Sequence, residues 1–290
     1  MTQAPIGGWV AENARTCVGF AVDEAYALPL AVAGRSLIEN YAGNEALEIV
    51  ILDLGISELS RHRIATSWPG PAKVSFLRLP SKNLSLDGLP LSSHEFVLHL
   101  NRNVYGRWFL PELLPEEYRR MIYLDADVLV VRDVSRLWHL GLGDHPFAAA
   151  QDKGIPYVSS QYGVPDYREL RLSARAKYFN AGVMVIDLDR WKASRIRERA
   201  LHYARTHPFM RFADQEALNA VIGGRWTEFP MEWNCPVEDE LLDEQHAMDP
   251  RIIHFLGPRK PWLDELSAAS CQAAYLDYLR RTQWAPDDHE

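Results

Sequence analysis

Two aspartates stand one residue apart at the end of an apolar run, Met121-Ile-Tyr-Leu-Asp-Ala-Asp127, and a second apolar run, Val128-Leu-Val-Val131, follows. In extended backbone the side chains alternate, so Asp125 and Asp127 point one way and Ala126 the other. At an effective dielectric near 20, two like charges about 4 Å apart repel by roughly 4 kcal/mol, and a cation removes that repulsion. Carboxylate oxygens are hard donors suited to Mg²⁺ or Mn²⁺, and one or two carboxylates together with substrate phosphates is the common way of holding magnesium. Most acidic pairs are solvated surface. This pair differs in its place, because ligands of open α/β sheets bind beyond the carboxyl ends of the strands.

A candidate third ligand comes much later. His254 closes the apolar run Arg251-Ile-Ile-His-Phe255 and is followed by Gly257-Pro-Arg-Lys-Pro-Trp262. By itself, a histidine beside an apolar run is more often a structural hydrogen-bonding group than a ligand. Its neighbours point the other way, since a glycine lets backbone amides approach a phosphate closely and Lys260 supplies a cation for it. An imidazole among the ligands tilts the choice towards Mn²⁺, with Mg²⁺ the alternative.

An α/β sheet has to position these groups. Cys17-Val-Gly-Phe-Ala-Val22 reads as a buried strand ended by Asp23, residues 26–41 have helical spacing, and Glu48-Ile-Val-Ile-Leu-Asp53 is a second buried strand. That β-α-β opening predicts a parallel sheet. A helix over 56–67, a strand over 73–79, a loop rich in serine, glycine and proline over 80–93 and a helix over 103–114 lead to the strand 120–124. Strands over 146–151, 182–188 and 251–255 follow, with helices over 191–207, 214–222 and 263–281. Residues 1–15 read as a flexible arm, 16–265 as one domain, and 266–290 as a C-terminal helix with an acidic tail.

Composition narrows the class. With 47% hydrophobic and 24% charged residues over 290 positions, the chain is an ordinary globular one. A net charge of -8 opposes binding to a nucleic-acid polymer, although a single nucleotide can be held by a few local groups. Cys17, Cys235 and Cys271 are odd in number and widely spaced, which suggests neither a disulfide framework nor a zinc site and fits a reducing cytoplasm. The N-terminus lacks the features of a signal peptide, and there is no long apolar stretch to span a membrane. The ending Arg281-Thr-Gln-Trp-Ala-Pro-Asp-Asp-His-Glu290 argues against peripheral docking on a membrane. A phosphate-binding Walker loop, a His-Glu-x-x-His zinc helix and a Gly-x-Ser-x-Gly elbow are all missing. Nothing fixes an oligomeric state.

Four motifs occur in order: Tyr123-Leu-Asp-Ala-Asp-Val-Leu-Val130, Phe179-Asn-Ala-Gly-Val183, Asp214-Gln-Glu-Ala-Leu-Asn219 and His254-Phe-Leu-Gly-Pro-Arg-Lys-Pro-Trp262. Together they resemble family 8 glycosyltransferases, which include bacterial lipopolysaccharide galactosyltransferases and, more distantly, glycogenin. The resemblance implies a single-domain, Rossmann-like GT-A nucleotide-diphospho-sugar transferase fold with a mostly parallel central sheet, flanking helices and a C-terminal helix. It further implies a UDP-hexose donor, galactose or glucose, an Mn²⁺ cofactor, a saccharide or other hydroxyl acceptor, and retention of anomeric configuration. By the same resemblance Asp125, Asp127 and His254 hold the metal, Gly257 and Lys260 the donor phosphates, and Asp23 and Tyr26 the nucleoside. Arg107, Asp125 and Ala126 line the donor, while Asn180, Asp214 and Gln215 face its sugar. An asparagine common after the first strand is absent, with Ala25 near its place, and His99 stands at the family's upstream histidine.

Catalysis is then expected to be electrostatic, the metal and Lys260 neutralising the departing diphosphate. With no glycosidase-type nucleophile evident, the expected course is a same-face displacement in which Gln215 or Asp214 stabilises the cationic sugar. A nucleotide-sugar hydrolase and a noncatalytic binder are the competing readings. Trp226, Trp233, Asn234 and Trp262 are candidates for an acceptor platform, because sugar rings stack on aromatic faces; the alternative for Trp226 and Trp233 is core packing, and for Trp262 the shaping of the Lys260 loop.

Overall fold

The continuous apolar runs at 17–22 and 47–53 become strands buried on both faces, as parallel strands covered by helices require. In the computed structural model, which describes residues 15–80, 86–94, 101–237, 249–263 and 269–285, β1 is Arg15–Val22 and β2 is Ala46–Asp53, paired in parallel with Val18 opposite Ile49. Helix α1 (Ala27–Asn40) connects them, and α2 (Glu58–Ser67), capped by Ser57 accepting from Ser60 N–H, leads to β3 (Lys73–Arg78), parallel to β2.

Helix α3 (Gly106–Leu113) precedes β4 (Arg120–Leu124), which runs parallel to β1. After β5 (Val128–Val130) and α4 (Ser135–Trp138) come β6 (Phe147–Gln151) and β7 (Phe179–Asp187), antiparallel to each other, with β7 also antiparallel to β4. Helices α5 (Leu188–Ala193), α6 (Ile196–Thr206) and α7 (Ala213–Ile222) follow, then β8 (Thr227–Glu228). Among the described residues the main sheet has seven strands in the order β3-β2-β1-β4-β7-β6-β8. Its mostly parallel, helix-flanked form is the predicted one.

A second small sheet carries β5, β9 (Cys235–Pro236) and β10 (Ile252–His254), with β10 in the middle. Packed beside it is α8 (Ala269–Leu279), whose Tyr275 and Leu279 join Val32, Ile253 and Phe255 in one apolar cluster. Alternation along β7 feeds both faces of the main sheet, Met184 and Ile186 packing with α3 and α5–α7, Val183 and Val185 with α1.

Two expected helices differ from the reading. The stretch 191–207 is two helices, because Arg195 takes the left-handed region at φ 50° and re-aims α6 so that Ile196, Ala200, Tyr203 and Ala204 are buried. The C-terminal helix is described from Ala269, and the first part of the expected 263–281 helix falls partly outside the described residues.

Candidate active site

The topology brings several strand ends to one edge. β1, β4 and β6 all finish there, with Asp23, Asp125 and Asp152 as the next residues, and β7 begins there with Phe179 and Asn180. Between β4 and β5 the chain leaves the large sheet for the small one, and the Asp125-Ala-Asp127 segment makes that corner. Asp125 N–H donates to Gly182 O at 2.8 Å, and Phe255 N–H donates to Asp127 O at 3.0 Å, so both sheets pin the corner. Because β10 pairs antiparallel with β5, His254 lies opposite Val128, next to Asp127.

The three ligand atoms of Asp125, Asp127 and His254 lie within 4.8 Å of one another. His254 Nε2 is 3.3 Å from Asp127 Oδ1 and 3.9 Å from Asp125 Oδ2. Fixed partners also hold both carboxylates. Lys260 Nζ donates to Asp127 Oδ2 at 2.7 Å and to Phe255 O at 2.6 Å, which leaves one of its three N–H bonds over. Tyr123 OH donates to Asp125 Oδ1 at 2.9 Å, and Arg107 donates to Asp125 Oδ2 at 3.1 Å. Arg107 Nε also lies 2.8 Å from Asp214 Oδ2, an ion pair whose N–H is directed at Val104 O instead.

Three buried or half-buried carboxylates therefore face two fixed cations, Arg107 and Lys260. Burial alone raises the Asp127 pKa, yet Lys260 and His254 outweigh it and hold the group well below the usual carboxylate range. For Arg107 burial works downward, and Asp125 and Asp214 reverse it to hold the guanidinium above its ordinary value. Burial dominates at Asp214, which is pushed up to about 6 against the pull of Arg107. A hard-oxygen pair with one imidazole and a shortfall of positive charge is a donor set that fits Mn²⁺ or Mg²⁺.

Gly182 makes this proximity possible. A Cβ there lies 2.1 Å from His254 Cε1 and 2.9 Å from Asp125 Oδ2. Gly257, at φ 74°, opens the turn that carries Lys260. Trp262 closes that turn, with its ring edge-on to Tyr26 at 6.1 Å and tilted against Tyr275 at 5.5 Å. This is the packing role offered above for Trp262.

A cleft of about 650 Å³ joins these groups, and every residue nominated from sequence for the metal and the donor lines it: Asp23, Tyr26, Arg107, Asp125, Ala126, Asp127, Asn180, Asp214, Gln215, His254, Gly257 and Lys260. Cavities of this size suit small-molecule ligands. Ala213 takes φ 31°, rare for an L residue, and this turn starts α7 so that Asp214 and Gln215 meet the cleft. Asp23 accepts from Tyr26 N–H and, through Oδ2, from both Asn101 and Asn103 side chains at 2.7 Å. Two amides thus stand beside the position where Ala25 supplies none.

The sequence reading missed Asp152, Asn101, Asn103 and the aromatic wall of His94, Tyr162 and Phe212. Asp152 has the same signature as Asp125, an acid directly after an apolar strand, but no second acid beside it. His94 stacks on Phe212 at 4.9 Å and meets Tyr162 edge-on at 4.7 Å. Trp226 and Trp233 do not reach the cleft. Trp226 is buried against Phe179 and Trp233 beneath Arg251, so core packing, the alternative reading, holds for both. Asn234 is buried as well, bonded to His254 and Asn180. His99 lies outside the described residues.

The sequence pattern of Glycosyl transferase family 8 matches residues 17–265. The chain belongs to this family. General stress protein A of Bacillus subtilis is 28% identical over 279 residues, which cover 90% of this chain and 92% of that protein. Lipopolysaccharide 1,2-glucosyltransferase of Escherichia coli is 30% identical over 172 residues, 56% of this chain and 49% of that protein. Among solved structures, the galactosyltransferase LgtC in complex with donor and acceptor sugar analogues superposes with a TM-score of 0.76 at 24% identity, over 94% of this chain and 98% of that one. That likeness shows a shared fold. No helix among the described residues is long and apolar enough to cross a membrane.

Proposed function

We propose that this family 8 glycosyltransferase moves a hexose, galactose or glucose, from a UDP-sugar to a saccharide hydroxyl with retention of configuration, using Mn²⁺. The observation that carries the reading is the convergence of Asp125, Asp127 and His254 with Lys260 bonded to Asp127. The relatives, a glucosyltransferase and a galactosyltransferase bound to donor and acceptor analogues, support the substrate class. Three free cysteines suit a cytoplasmic site of action.

A bound divalent cation supplies Lewis-acid neutralisation of the diphosphate leaving group. In this reading Asp23 with Asn101 and Asn103, and Tyr26 beside them, hold the nucleoside. Gly257 gives the backbone room at the phosphates, and the remaining N–H of Lys260 is directed to a phosphate oxygen. Arg107, locked between Asp125 and Asp214, needs no reorganisation to orient the donor. Asn180, Asp214 and Gln215 face the sugar. Gln215 is held at both ends, accepting from Ala181 N–H at 3.1 Å and donating to Asp152 at 3.1 Å, so its dipole is fixed beside the ring that becomes cationic. His94, Tyr162 and Phe212 form the acceptor wall, where a sugar face can stack.

The bond to the anomeric carbon breaks as the acceptor oxygen attacks the same face, and the departing phosphate oxygen takes the acceptor's proton. A sugar trapped covalently on Asp214 refutes this course. The test of the function is incubation with UDP-glucose or UDP-galactose, Mn²⁺ and a panel of saccharides. Transfer with retained configuration is expected, whereas bare hydrolysis or binding without turnover overturns it.

A further inference from the structure

Behind the ligand atoms runs a line of side-chain amides whose hydrogen bonds allow only one polarity. Gly182 N–H donates to Asn180 Oδ1 at 3.0 Å, and Ala181 N–H donates to Gln215 Oε1 at 3.1 Å. A backbone N–H can only donate, so these contacts fix which end of each amide is oxygen. The opposite ends agree, since Asn180 Nδ2 and Gln215 Nε2 both donate to Asp152 Oδ2, at 3.2 and 3.1 Å. Asn180 Oδ1 receives a second bond, from Asn234 Nδ2 at 2.9 Å. Asn234 must then turn its oxygen to His254, whose Nδ1 is 2.8 Å away. An amide oxygen only accepts, so Nδ1 carries a proton, and in the neutral ring the lone pair is then on Nε2, the atom that faces Asp125 and Asp127.

We infer that Asn234 is a positioning residue for the cation: it selects the His254 tautomer able to ligate and, through Asn180, ties that ligand to Asp152 and Gln215 across the cleft. The inference deepens the transferase reading and rests on it for the identity of the cation. With the other tautomer, His254 would present an N–H to the two carboxylates and could not bind metal. The geometry is held by the small sheet, because Asn234 ends a single 3-10 turn, Met231–Asn234, that runs into β9, and β9 pairs with β10 so that Pro236 stands opposite His254. Asn234 and His254 are 4% and 3% exposed, so water does not substitute freely for the amide. A purely structural asparagine would also be buried and bonded. It would not, however, govern metal affinity or the proton position on a neighbouring ring.

The test uses the full chain freed of metal. Two-bond 1H-15N spectra with neutral imidazole, assigned by His254→Gln, are expected to show His254 protonated on Nδ1. Titration with Mn²⁺ alone, followed by calorimetry and electron paramagnetic resonance, then compares two variants that must first melt cooperatively. Asn234→Leu offers neither donor nor acceptor and is expected to weaken Mn²⁺ binding by about 10- to 100-fold, the scale for a lost outer partner of a ligating histidine. Asn234→Asp keeps the acceptor for Nδ1 but loses the donor to Asn180. It should bind Mn²⁺ nearly as wild type does, yet turn over UDP-hexose about tenfold more slowly as the Asn180–Asp152 side loses its geometry. A wild-type ring protonated on Nε2, or wild-type Mn²⁺ affinity in Asn234→Leu, overturns the relay. If Asn234→Leu does not fold, the wild-type spectrum and the Asn234→Asp pair of readouts decide. Mn²⁺ binding with the expected tautomer but no sugar transfer refutes the transferase reading and leaves the relay standing.

Discussion

Adding one methyl group at Gly182 should disable the metal site while leaving the fold in place. Gly182 lies in β7 where the register with β6 shifts, and its backbone is tied through its N–H to Asn180 Oδ1 and through its carbonyl, which accepts from Asp125 N–H. It is not one of the positive-φ glycines, and alanine therefore meets no backbone strain there. The conflict is with side chains. The nearest atom, His254 Cε1, must move from 2.1 Å to the 3.4 Å at which ordinary contact begins, a retreat of about 1.3 Å, and Asp125 Oδ2 is crowded at 2.9 Å. Asn234 holds Nδ1, the ring atom next to Cε1, at 2.8 Å, so the ring cannot turn away without losing that bond. Metal–ligand distances tolerate only about 0.2 Å, and a misplacement of about 1 Å near reacting groups can cost roughly 100-fold.

Gly182→Ala is accordingly expected to lose about 100-fold in kcat/KM and to bind Mn²⁺ much more weakly, while overpacking costs about 1–3 kcal/mol of stability. The assays are Mn²⁺ calorimetry, initial rates with UDP-hexose, and thermal melts. Gly19→Ala is the control, because its Cβ meets Met121 Cε at 2.3 Å and Leu110 Cδ2 at 2.7 Å, away from the cleft. It should lose stability but keep Mn²⁺ affinity. Wild-type Mn²⁺ binding and turnover in Gly182→Ala refute the reasoning, and so does equal loss of Mn²⁺ affinity in both variants.

Three further outcomes follow from the same geometry. Lys260→Met leaves Asp127 without its ammonium, which should cost about 3–5 kcal/mol in the metal-free protein; Mn²⁺ should then raise the melting temperature more than it does in wild type, and equal increments would count against the pairing. Asn103→Ala removes an amide from Asp23 and should raise KM for the UDP-sugar by about tenfold with little change in kcat; steady-state kinetics read this, and an unchanged KM removes Asn103 from the nucleoside site. Glu216, chiefly through burial, is pushed from 4.5 up to about 7. A raised carboxyl favours its neutral form, so its contribution to stability is present below pH 4.5 and is lost as pH rises to about 7, by about 3 kcal/mol at 1.36 kcal/mol per pKa decade. The stability difference between Glu216→Gln and wild type should grow in the variant's favour over that window, and a pH-independent difference in denaturant melts would contradict it.

The parts of the site that could be read from sequence are those where one local pattern suffices. Asp125 and Asp127 follow an apolar strand and stand together, and His254 closes another strand ahead of a glycine and a lysine. What the local pattern did not carry was the change of sheet. Asp125 and Asp127 are not alternate positions of one strand but two sides of a turn between β4 and β5. They converge because β5 and β10 pair, a contact between residues more than a hundred positions apart. Asp152 stayed hidden for want of a neighbouring acid, and its partners Asn180 and Gln215 reach it only through the fold. Trp226 and Trp233 gave no signal either way, since indole suits a buried core and a sugar platform equally. The single helix expected over 191–207 was a true apolar period interrupted by Arg195, a residue type that gives no warning of a left-handed turn.

Both carboxylates of the pair serve a permanent cation as well as an exchangeable one, Asp127 through separate oxygens and Asp125 with Arg107 reaching both of its own. Asp127 gives Oδ2 to Lys260 and turns Oδ1 to His254 Nε2, while Asp125 has Tyr123 and Arg107 on one flank and Oδ2 within 3.9 Å of the same imidazole. The permanent cations let the acidic corner fold without metal, because a buried carboxylate with no partner would cost several kcal/mol. They also repel an incoming divalent ion, which limits its affinity. The two effects have opposite signs in Lys260→Met, where Mn²⁺ should bind more tightly while turnover falls for want of the ammonium beside the leaving group. A variant that binds metal better and reacts more slowly would separate holding the cation from using it, which no substitution at Asp125, Asp127 or His254 can do.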